Sequence, residues 1–447
     1  MSSNPTKWGL GPKAPAAGGE KTAAGGEKTA AGGEKTAAGG LDPCQSAARY
    51  ANRLVPGAGG VADPPALAWR RAGLLAVTGF ADGPGLVCPL ALASAADGAL
   101  LALRHLAPAA ALPLNGALLL GERARLLGLS RQGRTSANGS CRLLESADGR
   151  IALNLARVDD WGLLPALVED AGATDWDSLA ALVARWPTSA LLARGAELGL
   201  AIAADRPVAA PRHWCRVTPG GLARRKQRPL VLDLSSLWAG PLAGSLLAML
   251  GADVVKLESS ARPDGARGGH AGFFALLNGM KRHDRLDFGD RAALAARVAE
   301  ADIIIEGSRP RALRQLGIDA RREVARGAVW ISITGHGRSG GDAMRAGFGD
   351  DAAVAGGLAS AMAAGWGEAM FAGDAIADPL TGIHAALAGW QAWTGQGGQA
   401  GRGALIDVSL RRTMAFAARA GRARDVRVWQ AAAEADSAPL YPLRSPC

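Results

Sequence analysis

Aromatic residues make up only 5% of this 447-residue chain, two of them tyrosines, and cysteine is scarce and scattered. Cys44, Cys88, Cys141, Cys215 and Cys447 form no CxxC pair and no zinc spacing. That excludes a disulfide framework and suits a reducing compartment, so a cytoplasmic location is expected. The opening MSSNPTKWGLGPK lacks an apolar core, and no secretory signal is expected from it. Long hydrophobic runs are equally scarce. The most membrane-like stretch, LVCPLALASAADGALLAL (86–103), carries Pro89 and Asp97 inside, which predicts a buried soluble segment rather than a span.

Several nucleotide and hydrolase motifs are absent too. There is no G-x-x-x-x-G-K-[ST], no nucleophile elbow and no H-E-x-x-H, and the six histidines stand apart. No metal is expected. The net charge of +10 comes largely from scattered arginines without a basic, aromatic-interleaved stripe, so no nucleic-acid partner is expected. Only RRKQR (224–228) is dense, and it reads as a solvated hinge. A moderate positive excess fits an anionic small molecule equally well.

What is present is a globular composition, 49% hydrophobic with a mean hydropathy of +0.08, long enough for two or three domains. Residues 16–40 repeat AAGGEKT, with too little apolar surface to offset chain entropy; residues 1–63 are expected to be a disordered low-complexity tail. Residues 64–205 read as a small α+β domain with a preceding Ala/Leu-rich helical segment. In it, SCRLLESADGRIALNLAR (140–157) is a hairpin turning at Asp-Gly, followed by two amphipathic helices. Residues 206–228 look like a linker, 229–425 a large α/β domain, and 426–447 an irregular tail.

From 229 on, short apolar strands (PLVLDL, DVVKLE, DIIIEG, AVWISITG) alternate with helices of about ten residues. This predicts an α/β fold, an open, Rossmann-like parallel sheet with flanking helices. Ligands in such sheets sit beyond the carboxyl ends of the strands. The loops 235–241, 258–269, 306–310 and 335–341 should therefore surround one crevice. The first of them, SSLWAGPLAG, lacks G-x-G-x-x-G, which disfavours NAD or FAD held in the usual way.

Near the end of this domain, AGDAIADPLTGIHAAL (372–387) places Asp374 and Asp378 before an apolar helical face marked by Leu380, Ile383, Leu387 and Trp390. Asp-Pro is a common helix opening, so spacing alone favours Asp378 as N-cap with Pro379 at the first helical position. Asp374 reads as a turn residue and His384 as a packed or half-exposed helix residue.

The ordered series LDLSSLWAGPLAGSLLAMLGADVVKLE, RPDGAR, FFALLNGMKR, ADIIIEGSRPRALRQLGI, SITGHGRSG and GDAIADPLTGIHAAL resembles the class III CoA-transferases of the formyl-CoA and carnitine-CoA transferase type, across about 229–410. The resemblance implies a large α/β domain with a small domain, in a homodimer of interlocked chains. It implies coenzyme A, as an acyl-CoA substrate, and a small carboxylic acid as partners. It also implies an aspartate nucleophile, which here falls on Asp378 of ADPLTG. Such a group attacks the thioester to give a mixed anhydride and then an aspartyl-CoA thioester. Trp238 occupies a position where that family lines its site, with a core aromatic as the alternative, and Gly139 matches its glycine loop. For the CoA phosphates, the crevice loops offer Arg267, Asn278, Lys281, Arg282 and Arg309.

The chain departs from that family in three ways. Phe348 stands where related racemases carry His and transferases often Tyr, which argues against proton transfer at an α-carbon. The small-domain-like segment precedes the large domain, as though the tail of one copy were fused to the head of another. After about residue 420 the chain matches nothing in the family. A degenerate, non-catalytic CoA-binding or partner subunit is therefore the alternative function, and a racemase a third.

Overall fold

The alternating pattern from residue 229 builds a seven-stranded sheet in this computed structural model, which describes residues 45–222, 226–395 and 401–446. The N-terminal part supplies helices α1 (Ser46–Leu54), α2 (Pro65–Arg71), α3 (Leu92–Leu106) and α4 (Gly116–Leu127). A smaller unit follows: β1 (Cys141–Ser146), β2 (Gly149–Asn154), α5 (Leu164–Val168), α6 (Trp176–Val183), α7 (Thr188–Leu198) and β3 (Ala201–Ala204). The chain continues with β4 (Cys215–Leu222), β5 (Leu230–Asp233), α8 (Ala239–Met249), β6 (Asp253–Ser259), α9 (Ala271–Asn278), β7 (Arg282–Leu286) and α10 (Arg291–Glu300). It closes with β8 (Ile303–Glu306), α11 (Pro310–Gln315), α12 (Ala320–Ala325), β9 (Val329–Thr334), α13 (Gly349–Ala355), α14 (Leu358–Trp366), α15 (Ala377–Thr394), β10 (Arg402–Ser409), α16 (Leu410–Ala417) and α17 (Val426–Ala435).

The large sheet runs β4-β10-β9-β8-β5-β6-β7. Its strands are parallel except β4, which pairs antiparallel with β10, so the sheet is mixed rather than wholly parallel. β8 and β9 are covered on both faces, and their sequences IIIE and VWISIT read as nearly unbroken apolar runs for that reason. β4 lies at an edge and keeps polar residues and Pro219, which a central strand does not tolerate. The small unit is a three-stranded antiparallel sheet, β1-β2-β3, with the expected Asp-Gly hairpin. Its own core gathers Ile151, Leu153, Leu164, Leu179, Leu191 and Ile202.

Four expected boundaries differ. The low-complexity repeat lies outside the described residues, but the stretch read as disordered to residue 63 contains α1, whose buried Ala47, Tyr50 and Ala51 recur at helical spacing. The segment α2–α4 was expected to belong to the small domain. Its side chains instead share one core with α8, α15 and α17, so the small unit is confined to about residues 141–204. The supposed linker supplies β4, because β10 would otherwise present an unpaired edge; Arg224 and Arg225 of RRKQR are outside the described residues. The supposed irregular tail forms α17, which buries Val426, Gln430 and Ala433. Its Gln430 accepts the Val87 N–H at 2.9 Å and donates to Gly85 O at 2.8 Å.

The apolar stretch 86–103 is the root of α3, buried almost throughout. Its Asp97 accepts the Ala117 N–H at 2.9 Å, capping the first turn of α4. Among the described residues no helix is long and apolar enough to cross a membrane.

Candidate active site at the start of α15

α15 opens differently from the Asp-Pro reading. Ala377 is its first residue, Asp378 its second, and Ile376 takes the N-cap position without a side-chain cap. The turn is closed by the main chain: Asp378 N–H donates to Ala375 O at 2.8 Å, with Ala375 in the left-handed region at φ 41°. Pro379 falls third, still within the turn whose N–H groups have no intrahelical acceptor. Asp378 is thus released from capping. Among the described residues nothing donates a hydrogen bond to its carboxylate, which keeps partial exposure while its neighbours are covered.

Two glycines allow this placement. A Cβ on Gly382, one turn past Asp378, would stand 2.7 Å from Ala239 O, so the start of α15 packs directly on the start of α8 next to Trp238. A Cβ on Gly349 would stand 2.5 Å from Asp378 Oδ2 and 2.3 Å from Ala375 O. The bare backbone of α13 forms the wall against which the carboxylate rests.

The frame around Asp378 comes from distant parts of the chain. Asp374, fully buried, is paired with Arg123 of α4, Nε to Oδ2 at 3.3 Å. Asn138 Nδ2 donates to Asp350 Oδ2 at 2.9 Å and to Asp374 Oδ1 at 3.3 Å. Asn138 Oδ1 in turn accepts from Ser140 N at 2.9 Å and Ser140 Oγ at 2.7 Å. Asp350 Oδ1 also accepts the Ala375 N–H at 2.9 Å, locking the turn before Asp378. Asp351 is held by the Phe348 N–H at 2.9 Å and Asn154 Nδ2 at 3.1 Å. The segment leading into the small unit therefore folds over the ADPLTG turn within one chain. Asp374 is a buried ion-pair partner and not a plain turn residue.

Electrostatics at this cluster work against the helix start. A helix start alone would favour an ionised carboxylate. Here burial pushes Asp378 up to about 7, against the pull of Arg123 and with Asp350, Asp351 and Asp374 adding to the rise. Burial likewise lifts Asp351 to about 7, and burial together with Asp374 lifts Asp350 to about 6. Several acids near one cation cannot all be charged cheaply. Among the described residues no group of three His, Cys, Asp or Glu is placed to hold a metal ion.

Trp238 is buried at the mouth of α8, edge-on to Phe273 with ring centroids 5.1 Å apart, and the Arg123 guanidinium lies 5.1 Å over its indole. Its loop is fixed by a buried ionic web. Lys256 Nζ bonds Ser235 O and pairs with Asp264 Oδ2, both at 2.8 Å, while Asp264 Oδ1 accepts the Leu237 N–H at 2.9 Å. Lys281 belongs to the same web. Its ammonium donates to Asp233 Oδ2 at 2.8 Å, Pro241 O at 2.7 Å and Asn278 Oδ1 at 2.9 Å. All three Lys281 hydrogens are spent, and Asn278, buried, gives an Nδ2 hydrogen to Phe274 O at 3.2 Å, so both residues serve this web first.

The remaining phosphate candidates are spread out. Arg267 is exposed at the carboxyl end of β6, doubly bonded to Glu258 (Nε to Oε1 3.0 Å, Nη2 to Oε2 2.5 Å) and stacked on Phe274. Arg282, also exposed, pairs with Asp253 at 2.8 Å. Arg309 donates to Gly199 O at 3.2 Å, tying α11 to the small unit. Gly139 stands beside Asn138 in the left-handed region with open space over its Cα, though its N–H is taken by Ser136 O at 2.8 Å. Of the two roles expected for His384, the packed one holds: Tyr50 OH lies 2.9 Å from its Nε2, and its Nδ1 lies 2.7 Å from Leu380 O. Arg123, Asn138, Asp350 and Asp351 were not singled out from sequence. Only the run GDD that opens α13 carried a signal, an acidic pair at a helix start.

Residues 229–432, a little under half of the chain, match the profile of CoA-transferase family III. It is 33% identical over 200 residues to a succinate–glutarate CoA-transferase of Agrobacterium fabrum, covering 40% of this chain and 49% of that one. It is 32% identical over 192 residues to a formyl-CoA:oxalate CoA-transferase of Streptomyces coelicolor, covering 40% and 46%. A crystal structure of a CaiB/BaiF family protein from Brucella suis aligns at 29% identity and a TM-score of 0.37, over 44% of this chain and 55% of that one. The chain thus spans about half the length of the curated relatives it matches.

Proposed function

We propose that the protein is a CoA-transferase that moves CoA from an acyl-CoA thioester to a carboxylic acid through Asp378. The observation that carries this reading is a carboxylate on a rigid turn, left without a hydrogen bond among the described residues, partly exposed, and opposite a single arginine. A capping or structural aspartate would have its oxygens occupied, as those of Asp350 and Asp351 are in part.

In the first half-reaction an Asp378 oxygen adds to the thioester carbon and the C–S bond breaks, giving a mixed anhydride and CoA thiolate. The thiolate then attacks the Asp378 carbonyl carbon, the donor acid leaves as its carboxylate, and an aspartyl-CoA thioester remains. The second half runs these steps in reverse with the acceptor acid, regenerating the Asp378 carboxylate. No net proton or electron is exchanged. Trp238, at the start of α8, and Gly139, in the segment before β1, are proposed to line the site, and Arg267, bonded to Glu258 beyond β6, is the proposed phosphate contact.

Incubation with an acyl-CoA followed by hydroxylamine is expected to convert Asp378 to its hydroxamate, read by peptide mass spectrometry, and Asp378→Ala is expected to lose transfer entirely. An unmodified Asp378 across a broad thioester panel, together with wild-type turnover in Asp378→Ala, refutes the assignment. Exchange of the α-proton into deuterated water without transfer would establish a racemase instead.

A further inference from the structure

Arg123 is the cation that opposes the protonation of Asp378, yet it comes from α4, outside the stretch that carries the family match. Its Nε is ion-paired with Asp374 Oδ2 at 3.3 Å, and its guanidinium carbon lies over the Trp238 ring, 5.1 Å from the ring centre. Asp374 itself is held by Asn138. The guanidinium is thus fixed on one side by a carboxylate and on one face by an aromatic ring. Its two terminal nitrogens, Nη1 and Nη2, have no hydrogen bond among the described residues, and the side chain is 21% exposed. A planar fork immobilised in this way, with its outer edge open, is the geometry that receives a carboxylate bidentately.

The other cations near the crevice are differently engaged. Lys256 and Lys281 are buried in the web under the Trp238 loop, Arg267 is bonded to Glu258, and Arg338 is bonded to Glu306 and Ser332. The order of the reaction also favours Arg123. When Asp378 is acylated it loses its negative charge, and an anion is wanted beside Arg123 at that moment. The attacking acid brings one.

We propose that Arg123 is a specificity-determining residue that binds the carboxylate of the acceptor acid on its Nη1–Nη2 edge and holds it against the carbonyl carbon of acylated Asp378. This rests on the CoA-transferase reading. The acid's oxygen forms the new bond to that carbon as the C–S bond breaks and CoA thiolate leaves. The thiolate then attacks the acid's acyl carbon, the anhydride C–O bond breaks, and Asp378 recovers its charge next to Arg123. Acids therefore bind well only after acylation.

The test uses the full chain with Arg123→Met and Arg123→Lys, thermal midpoints confirming folding. Two rates are compared at pH 9, where Asp378 is ionised in every variant. One is trapping of acylated Asp378 by hydroxylamine, a neutral nucleophile; the other is transfer to whichever acid, in a panel of mono- and dicarboxylates, the wild type turns over fastest. Arg123→Met is expected to keep trapping within a few-fold, while the KM for the acid rises roughly 10- to 100-fold, the loss of a charge-assisted bidentate contact. Guanidinium chloride should restore part of that loss, and Arg123→Lys should fall between. Trapping lost in parallel with transfer would assign Arg123 to the first step and overturn the proposal, as would an unchanged KM. A wild type in which hydroxylamine never labels Asp378 instead removes the underlying transferase reading.

Discussion

Asp378 combines two demands that pull against each other. As the proposed nucleophile it must be charged to attack a thioester, yet its surroundings push its ionisation up to about 7. Because only the ionised form is a nucleophile, acylation is expected to be half-maximal near pH 7 and to rise toward pH 9. Removing Arg123 takes away the one stabilising charge, and the midpoint should move upward by about one unit or more. Single-turnover acylation measured across pH 5.5–9.5 checks both. A second residue-scale prediction concerns Gly349. A methyl there would press on Asp378 Oδ2 and Ala375 O, at 2.5 and 2.3 Å. Gly349→Ala is expected to cost about 1–3 kcal/mol, the usual penalty for overpacking. It should also slow acylation more than its effect on the denaturation midpoint would suggest, because the displaced atom is the proposed nucleophile.

At the scale of elements, β5, β6 and α8 are joined by ions rather than by apolar contact at their site-facing ends. Lys281 lies between Asp233, Asn278 and the Pro241 carbonyl, and burial lowers its ionisation to about 8 in spite of Asp233. Removing one member of a buried pair leaves the other uncompensated. Lys281→Met is therefore expected to destabilise by about 3–5 kcal/mol in urea unfolding, with the KM for acyl-CoA little changed. Adding Asp233→Asn should recover much of the loss. A phosphate-binding lysine would show the opposite pattern, a raised KM at nearly normal stability. The same scale explains what the sequence made legible. Strand and helix alternation after residue 229 is a local property and reads off directly, as does the Asp-Gly hairpin of the small unit. The cap geometry at Asp378 did not, since whether Asp or the main chain closes that turn depends on Asp350 reaching Ala375 from another helix.

For the molecule as a whole, the buried acids set an unusual pH dependence of stability. Burial raises Asp97, Asp351 and Asp378 to about 7 and Asp350 to about 6, so the folded state binds their protons more tightly than the unfolded chain does. That stabilisation is present at low pH and is lost as pH rises from about 4 toward 7. His336 and His384, lowered by burial to about 3 and 4, oppose it as pH falls below about 6.5, but the acids outnumber them. Glu258, held near 2 by Arg267 and neighbouring donors against its burial, loses its contribution only below about pH 4.5. The thermal midpoint is expected to be higher near pH 5.5 than at pH 8, by calorimetry, and Asp351→Asn should flatten the difference. The site is likewise a whole-molecule property. Arg123 and Asn138, from before the matched region, complete a cluster whose Asp350, Asp374 and Asp378 lie within it.

By itself the sequence determined the strand–helix alternation, the likeness of its second half to the CoA-transferases and the aspartate proposed as nucleophile, because each is written in contiguous, local motifs. Only the tertiary structure decided what surrounds Asp378. Asn138 meets Asp350 across 212 positions and Asp374 across 236, and Arg123 reaches Asp374 from α4. No local pattern encodes such meetings; they arise because α4 and the loop before β1 are packed against the opening turns of α13 and α15. The same packing took Lys281 out of the list of phosphate ligands and turned Asp374 from a turn residue into the anchor of an arginine.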